Sequence, residues 1–222
     1  VLLDEVLSFL RPREGGTYVD CTLGGGGHAE AVLQTISGKG KLVGFDRDPD
    51  AIRTSGERLA AWGESVALVP HDFGDVRNRL RLLNIHEVDG FLLDLGVSSH
   101  QLDDPGRGFS FQQEGALDLR MDRGRGIGGR EVVNTYGEED LKRIFRECGE
   151  ERMAGRIARR IVWQREKAPI ETTADLAEAV RRAVGGRFIL KSLARVFQAI
   201  RIEVNAELEN LSRFLGDAIP LL

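Results

Sequence analysis

The stretch VDCTLGGGGHAEAVL, Val19 to Leu33, runs from an apolar segment through four consecutive glycines into a helical pattern. Glycine tolerates positive φ and lets another group approach the backbone closely. A helix N-terminus behind such a turn offers unpaired N–H groups and a partial positive charge. The spacing Gly24-x-Gly26-x-x-Ala29 fits the loose dinucleotide pattern G-x-G-x-x-G/A, but a glycine run satisfies many patterns at once. A tight strand-to-helix turn with no ligand is the plain alternative. No Lys-Ser/Thr follows, which argues against a P-loop.

Outward from this turn the first hundred residues alternate between two periods. TYVDCTL, KLVGFD, SVALVPHDF and VDGFLLDLG are short apolar runs and predict buried parallel strands. Helical patterns lie between them, near 27–36, 49–61 and 75–83, with Asp48-Pro49 as a helix start. The alternation predicts a doubly wound α/β sheet, in which ligands bind beyond the carboxyl ends of the strands.

Those ends are acidic. Strand 2 ends in Asp46, where a carboxylate can accept from ribose hydroxyls. Enzymes of nicotinamide dinucleotides and of S-adenosylmethionine both use that device. Strand 3 ends in Asp72 and Phe73, and strand 4 runs into Asp94, Ser98, Ser99, Gln101, Asp103 and Asp104. Carboxylates repel a pyrophosphate and attract a sulfonium or an ammonium group. Each acid alone reads as a helix cap or turn residue. Four acidic strand ends around a glycine turn favour a cationic ligand, leaving a nicotinamide-dependent oxidoreductase as the alternative.

The 222 residues are 41% hydrophobic and 30% charged, enough for one large domain or one domain with an insertion. No run approaches the ~18 apolar residues of a membrane helix. Cys21 and Cys148, alone and far apart, suggest a reducing compartment such as the cytoplasm. Neither they nor the histidines show metal-ligand spacing, so no metal is expected. The net charge of −4 is unevenly spread: Arg120 to Arg201 holds 19 Lys and Arg against 12 Asp and Glu, a balance of +7, and the remainder carries −11. An acidic part and a basic part suggest two surfaces with different partners.

The basic part coincides with a break in the alternation. From Pro105 to Val196 the pattern becomes helical, near 138–148, 150–166 and 173–184, with Thr172 and Asp175 as a capping box. Phe109 and Phe111 suit base stacking or, more simply, packing; Trp62 and Trp163 read as packing residues. In ERMAGRIARRIVWQRE, Met153, Ile157 and Ile161 form a core stripe, and Arg152, Arg156 and Arg160, with Arg159, form a basic one. The basic stripe suits RNA phosphates, against pairing with Glu147, Glu150, Glu151 and Glu166. A last helix near 197–216 is predicted to return to the sheet through Phe197, Ile200, Val204, Leu208, Leu211 and Leu215, with Gln198, Arg201 and Asn205 as a polar stripe near the substrate.

The segments VLLDEVL, YVDCTLGGGGHA, FDRDPDAI, FLLDLGVSSHQLDDPGRGFSF, GALDLRMD, CGEERMAGRIARRI and VFQAIRIEVNAEL resemble, in order, the MraW/RsmH family of bacterial methyltransferases acting on a cytosine N4 amine of small-subunit ribosomal RNA. The resemblance spans nearly the whole chain. It implies a Rossmann-like class I methyltransferase sheet over 1–104 and 197–222 and a helical, RNA-binding insertion over 105–196. It implies S-adenosylmethionine as cofactor, held by Gly26, Gly27, His28, Asp46, Phe73, Asp94 and Gln101, with Phe73 facing the adenine. Asp94 stands where DNA amino-methyltransferases carry Asp/Asn-Pro-Pro-aromatic, here without the prolines or the aromatic, and is the candidate catalytic residue or solely a cofactor ligand. Arg152, Arg156, Arg159, Arg160 and Arg201 are the RNA-binding candidates. The implied partner is small-subunit ribosomal RNA or the small ribosomal subunit, with no membrane partner and room for a homodimer. A non-catalytic RNA-binding or ribosome-assembly factor on the same fold is the alternative. Ala116, Leu119 and KSLARVFQA depart from the usual GPLDMRMD and HPATRTFQA-like runs. Family members usually open with His-x-Pro before VLL and continue past this C-terminus with further strands and a SFHSLEDR-like motif. The four strands read here against the usual seven imply that the C-terminal strands are missing from this chain and that strand 4 is an uncovered edge.

Overall fold

The structure, a computed structural model, describes residues 2–222. It divides into two compact units: residues through Gly96 together with Leu208–Leu222, and Val97–Glu207.

The first unit holds α1 (Leu3–Leu10), β1 (Thr17–Asp20), α2 (Gly27–Thr35), β2 (Lys41–Phe45), α3 (Pro49–Leu59), β3 (Val66–Val69), α4 (Val76–Leu82) and β4 (Gly90–Leu92). The four strands are parallel in the order β3-β2-β1-β4. The order reverses between β1 and β4, and such reversals open a crevice at the carboxyl ends. Val19, Cys21, Val43 and Phe45 pack one side of the sheet against α4 and the C-terminal residues Phe214, Ala218 and Leu221. Tyr18, Leu33, Ile36, Leu42 and Leu59 belong to a second cluster with α2 and α3. Asp48 caps α3 by accepting from the Asp50 N–H at 3.1 Å, with Pro49 in the first turn, as the sequence predicts.

The second unit is helical: α5 (Ser99–Asp103), α6 (Gly129–Thr135), α7 (Glu138–Glu147), α8 (Ala154–Arg165), α9 (Thr173–Val184) and α10 (Ile189–Val204). The capping box of Thr172 and Asp175 starts α9. Ile157, Ile161 and the half-buried Met153 turn inward from α8. Phe109 is buried in this core and Phe111 packs edge-on against Phe197, at 5.6 Å, so both rings are packing residues.

The expected single helix over 197–216 is two. It breaks after Asn205, where Ala206 adopts φ 49 and α11 (Glu207–Ala218) begins. A left-handed residue ends a helix most cheaply as glycine; an alanine leaves no trace in the hydrophobic period. Phe197, Ile200 and Val204 therefore stay in the helical core, whereas Leu211 and Phe214 belong to the sheet core and Leu208 and Leu215 are exposed. Because α10 packs with α7 and α9, the units divide at Gly96/Val97 and Glu207/Leu208 rather than at 104/105 and 196/197.

Candidate functional site

The glycine turn is built by backbone bonds on both sides. Leu23 N–H donates to Phe45 O at 2.9 Å, and Gly26 N–H donates to Leu23 O at 2.8 Å. Gly26 sits at φ 76, and a Cβ there would stand 3.2 Å from the Ser55 Cβ of α3, so only glycine fits without strain. Leu23 folds back onto Gly44 of β2, where a Cβ would meet it at 2.7 Å.

Three carboxylates converge beside this turn. Asp46, at the end of β2, accepts from Gly24 N–H at 2.8 Å and from Asp48 N–H at 2.9 Å, which fixes the turn. Burial raises its pKa. Asp94 is exposed just past β4, its N–H donating to the Thr22 hydroxyl at 2.7 Å. Asp20, the last residue of β1, is 3% exposed. Its Oδ1 accepts from Thr22 N–H at 3.0 Å, while its Oδ2 finds no hydrogen-bond partner among the described residues. Burial pushes the Asp20 pKa up to about 6, and the Asp46 and Asp94 charges add to the rise. His28, in the first turn of α2, acts on the same carboxyl in the opposite sense.

A buried carboxylate beside two others is costly unless a cation joins it. A buried carboxylate oxygen with no partner among the described residues, at the carboxyl end of a strand beside a strand-order reversal, is the feature to expect of a site for a cationic group. Asp20 is the residue that reading the sequence missed. An acid closing an otherwise apolar buried strand, directly before the glycine run, was the available signal. The other expected acids have local duties. Asp72 accepts from Gly74 N–H at 3.0 Å and lies 3.8 Å from Arg213, and Asp104 accepts from Gly106 N–H at 2.8 Å. Phe73 opens the turn after β3, half-buried and edge-on to Phe214 at 5.8 Å.

Thus Gly26, Gly27, His28, Asp46, Phe73 and Asp94 all belong to the first unit. Gln101 belongs to the second, where its Oε1 accepts from Ser98 N–H at 3.1 Å in the capping box of α5.

The arginines also sort by partner. Arg201 is held bidentately by Glu207, at 2.8 and 3.0 Å, across the α10–α11 break. Asn205 is buried; it accepts from Met121 N–H at 2.9 Å and donates to Leu119 O at 2.7 Å, clamping that loop to the end of α10. The polar stripe of α10 is therefore internal wiring. Arg159 pairs with Glu138 at 3.4 Å on the surface. The side chains of Arg152 and Arg156 make no ion pair or hydrogen bond among the described residues; Glu147 pairs with Arg143, and Glu151 accepts from Met153 N–H. Among the described residues, no helix is long and apolar enough to cross a membrane.

The family model of the MraW methylase family matches residues 1–222. "Ribosomal RNA small subunit methyltransferase H" of Pelobacter propionicus is 50% identical, covering 100% of this chain and 72% of its own length. The protein of the same name from Clostridium botulinum is 47% identical with the same coverage.

Proposed function

Because the chain belongs to the MraW methylase family, we propose that it transfers a methyl group from S-adenosylmethionine to the N4 amine of a cytosine in small-subunit ribosomal RNA. The observation that carries this reading is the buried, half-satisfied Asp20 carboxylate among Asp46, Asp94 and the glycine turn. Such a donor set fits a ligand with a sulfonium and an ammonium and disfavours a pyrophosphate. The relatives' printed name supplies the substrate class.

In this reading Asp46 accepts from the ribose hydroxyls, Gly26 and Gly27 let the cofactor approach the backbone, and Phe73 offers its ring to the adenine. His28 and Asp20 hold the charged amino-acid end, and Gln101 is assigned to the cofactor by the family pattern alone. When bound, the cofactor supplies an electrophilic methyl group whose bonding electrons leave on sulfur. The amine is a poor nucleophile, because its lone pair is delocalised into the ring. An acceptor on its N–H favours rehybridisation and fixes the approach, and the amine gives up a proton as the N–C bond forms. Asp94, exposed and anchored through its N–H, has the charge for that acceptor and equally for a cofactor ligand. Arg152, Arg156 and Arg160 hold RNA phosphates; Arg159 and Arg201 contribute only by leaving Glu138 and Glu207.

The test is methyl transfer from labelled S-adenosylmethionine to small-subunit particles and to naked RNA, with the modified nucleoside identified by mass. N4-methylcytosine in either substrate supports the reading. Cofactor binding without methyl transfer to either would favour the assembly-factor alternative, and tight binding of a nicotinamide dinucleotide instead would overturn the cofactor assignment.

A further inference from the structure

The basic stripe of α8 does not end in arginine. Trp163, expected to pack, is 43% exposed. At ~100° per residue, Arg156, Arg160 and Trp163 share an arc of about 60° on one face of the helix. The Arg160 guanidinium lies 4.1 Å from the Trp163 ring centroid, and the Lys167 ammonium lies 3.5 Å from it. Arg160 Nε is buried without a hydrogen-bond partner among the described residues. The surface thus offers one indole with cations on it and a further unpaired arginine one turn away, spread over ~16 Å of helix. Each partner chemistry would use different parts of it. A duplex has phosphates but hides the faces of its bases. An acidic protein surface would use the cations but not the ring. A single strand uses both, since unpaired bases stack on aromatic rings while cations track the backbone.

We propose that Trp163 is a stacking platform for an unpaired base of the RNA substrate, with Arg156, Arg160 and Lys167 on the flanking phosphates. The proposal rests on the reading of the chain as an RNA methyltransferase and adds the form of RNA it grips. An incoming base displaces the Lys167 ammonium from the ring onto a phosphate. The exchange is downhill because an exposed cation–π contact is worth less than a base stack.

The experiment uses the full chain with four probes: an unstructured twelve-nucleotide RNA, the same RNA annealed to its complement, inorganic polyphosphate and polyglutamate. Trp62 and Trp163 are the only tryptophans, so Trp62→Phe isolates the Trp163 emission. The single strand should quench that emission, and the duplex and polyphosphate should not. By anisotropy, which needs no change at Trp62, Trp163→Ala should bind the single strand about tenfold more weakly. Polyphosphate binding should be unchanged, and Trp163→Phe should keep most of the affinity. If Trp163→Ala binds the single strand like the parent, or if polyglutamate quenches as the RNA does, the platform is overturned. Methyl transfer by the unmodified chain is read separately, so the stack can fail while the enzymatic reading stands.

Discussion

Asp20 lies buried at the end of β1 with Asp46 and Asp94 acting on it, whereas Arg156 stands exposed on α8 with no ion-pair partner among the described residues. Both regions gather like charge, but in opposite dielectric surroundings. At the strand ends the backbone is fixed by the sheet, and Asp20 is cut off from water; burial raises its pKa, and the neighbouring charges of Asp46 and Asp94 add to the rise. Along the helix the side chains are long and hydrated, and salt screens them. Buried repulsion prepares a site for one small cation in one geometry. Exposed repulsion prepares a surface for a polyanion in many. The two therefore respond to different perturbations, and that difference can be attacked one residue at a time.

The largest expected effect is on Asp20. Its carboxyl is raised to about 6 in the folded chain, so between the unfolded value and pH 6 the folded state keeps a proton that the unfolded state has released. Stability falls as pH rises through that window, and the cost, about 3 kcal/mol at 1.36 kcal/mol per unit, is fully present above it. Asp20→Asn should remove that cost, raising the melting temperature at pH 8 and leaving it nearly unchanged at pH 4. It should also weaken S-adenosylmethionine binding. Parent affinity for the cofactor should climb through pH 6. A variant that gains nothing at pH 8 would contradict the buried-charge picture.

Next comes Asp46→Ala, which deletes the charged acceptor for the ribose and unties Gly24 N–H. A charged hydrogen bond is worth ~1.5–3 kcal/mol, so calorimetry should show affinity falling by roughly ten- to a hundredfold. Unchanged affinity in a folded variant would remove Asp46 from the site.

A smaller effect is expected on α8. Replacing Arg156 and Arg160 with glutamine should lower the log–log salt slope of RNA binding by roughly one to two units and leave cofactor affinity alone. A change in cofactor affinity would mean the two regions are coupled, and the comparison would lose its edge. The smallest effect is at Glu138. Its pair with Arg159 is a surface contact, with side chains 35% and 77% exposed. Glu138→Gln should shift denaturant-measured stability by less than about 0.5 kcal/mol.

The sheet was legible because its signal is local and redundant. Each strand is an apolar run bounded by turn residues, and the glycine turn between β1 and α2 carries its own backbone requirement. The start of α9 was legible through Thr172 and Asp175 for the same reason. What escaped depends on long-range or conformational facts. The helix α1 has left-handed residues, Leu2 and Arg11, at both ends and no side-chain cap to announce it. Ala206 breaks the last helix although alanine favours continuation. Asp20 was hidden inside an apolar run, and only its burial shows that its charge matters. Trp163 carries the default expectation of packing, although its place seven residues after Arg156 put it on the basic face all along.

The route of the chain also bears on the order of folding. The core beneath the sheet is closed by Phe214, Ala218 and Leu221, which follow the whole helical unit in sequence. On a translating ribosome the intervening ~110 residues take about 5–20 s to emerge at roughly 5–20 residues per second. Throughout that interval Val19, Val43 and Phe45 have been synthesised but lack the cover of Phe214, Ala218 and Leu221. The helical unit, whose α7–α8–α9 contacts are close in sequence, has everything it needs to fold before the sheet that precedes it. Slowing translation within Val97–Glu207 should therefore lengthen the interval in which that face of the nascent sheet is uncovered.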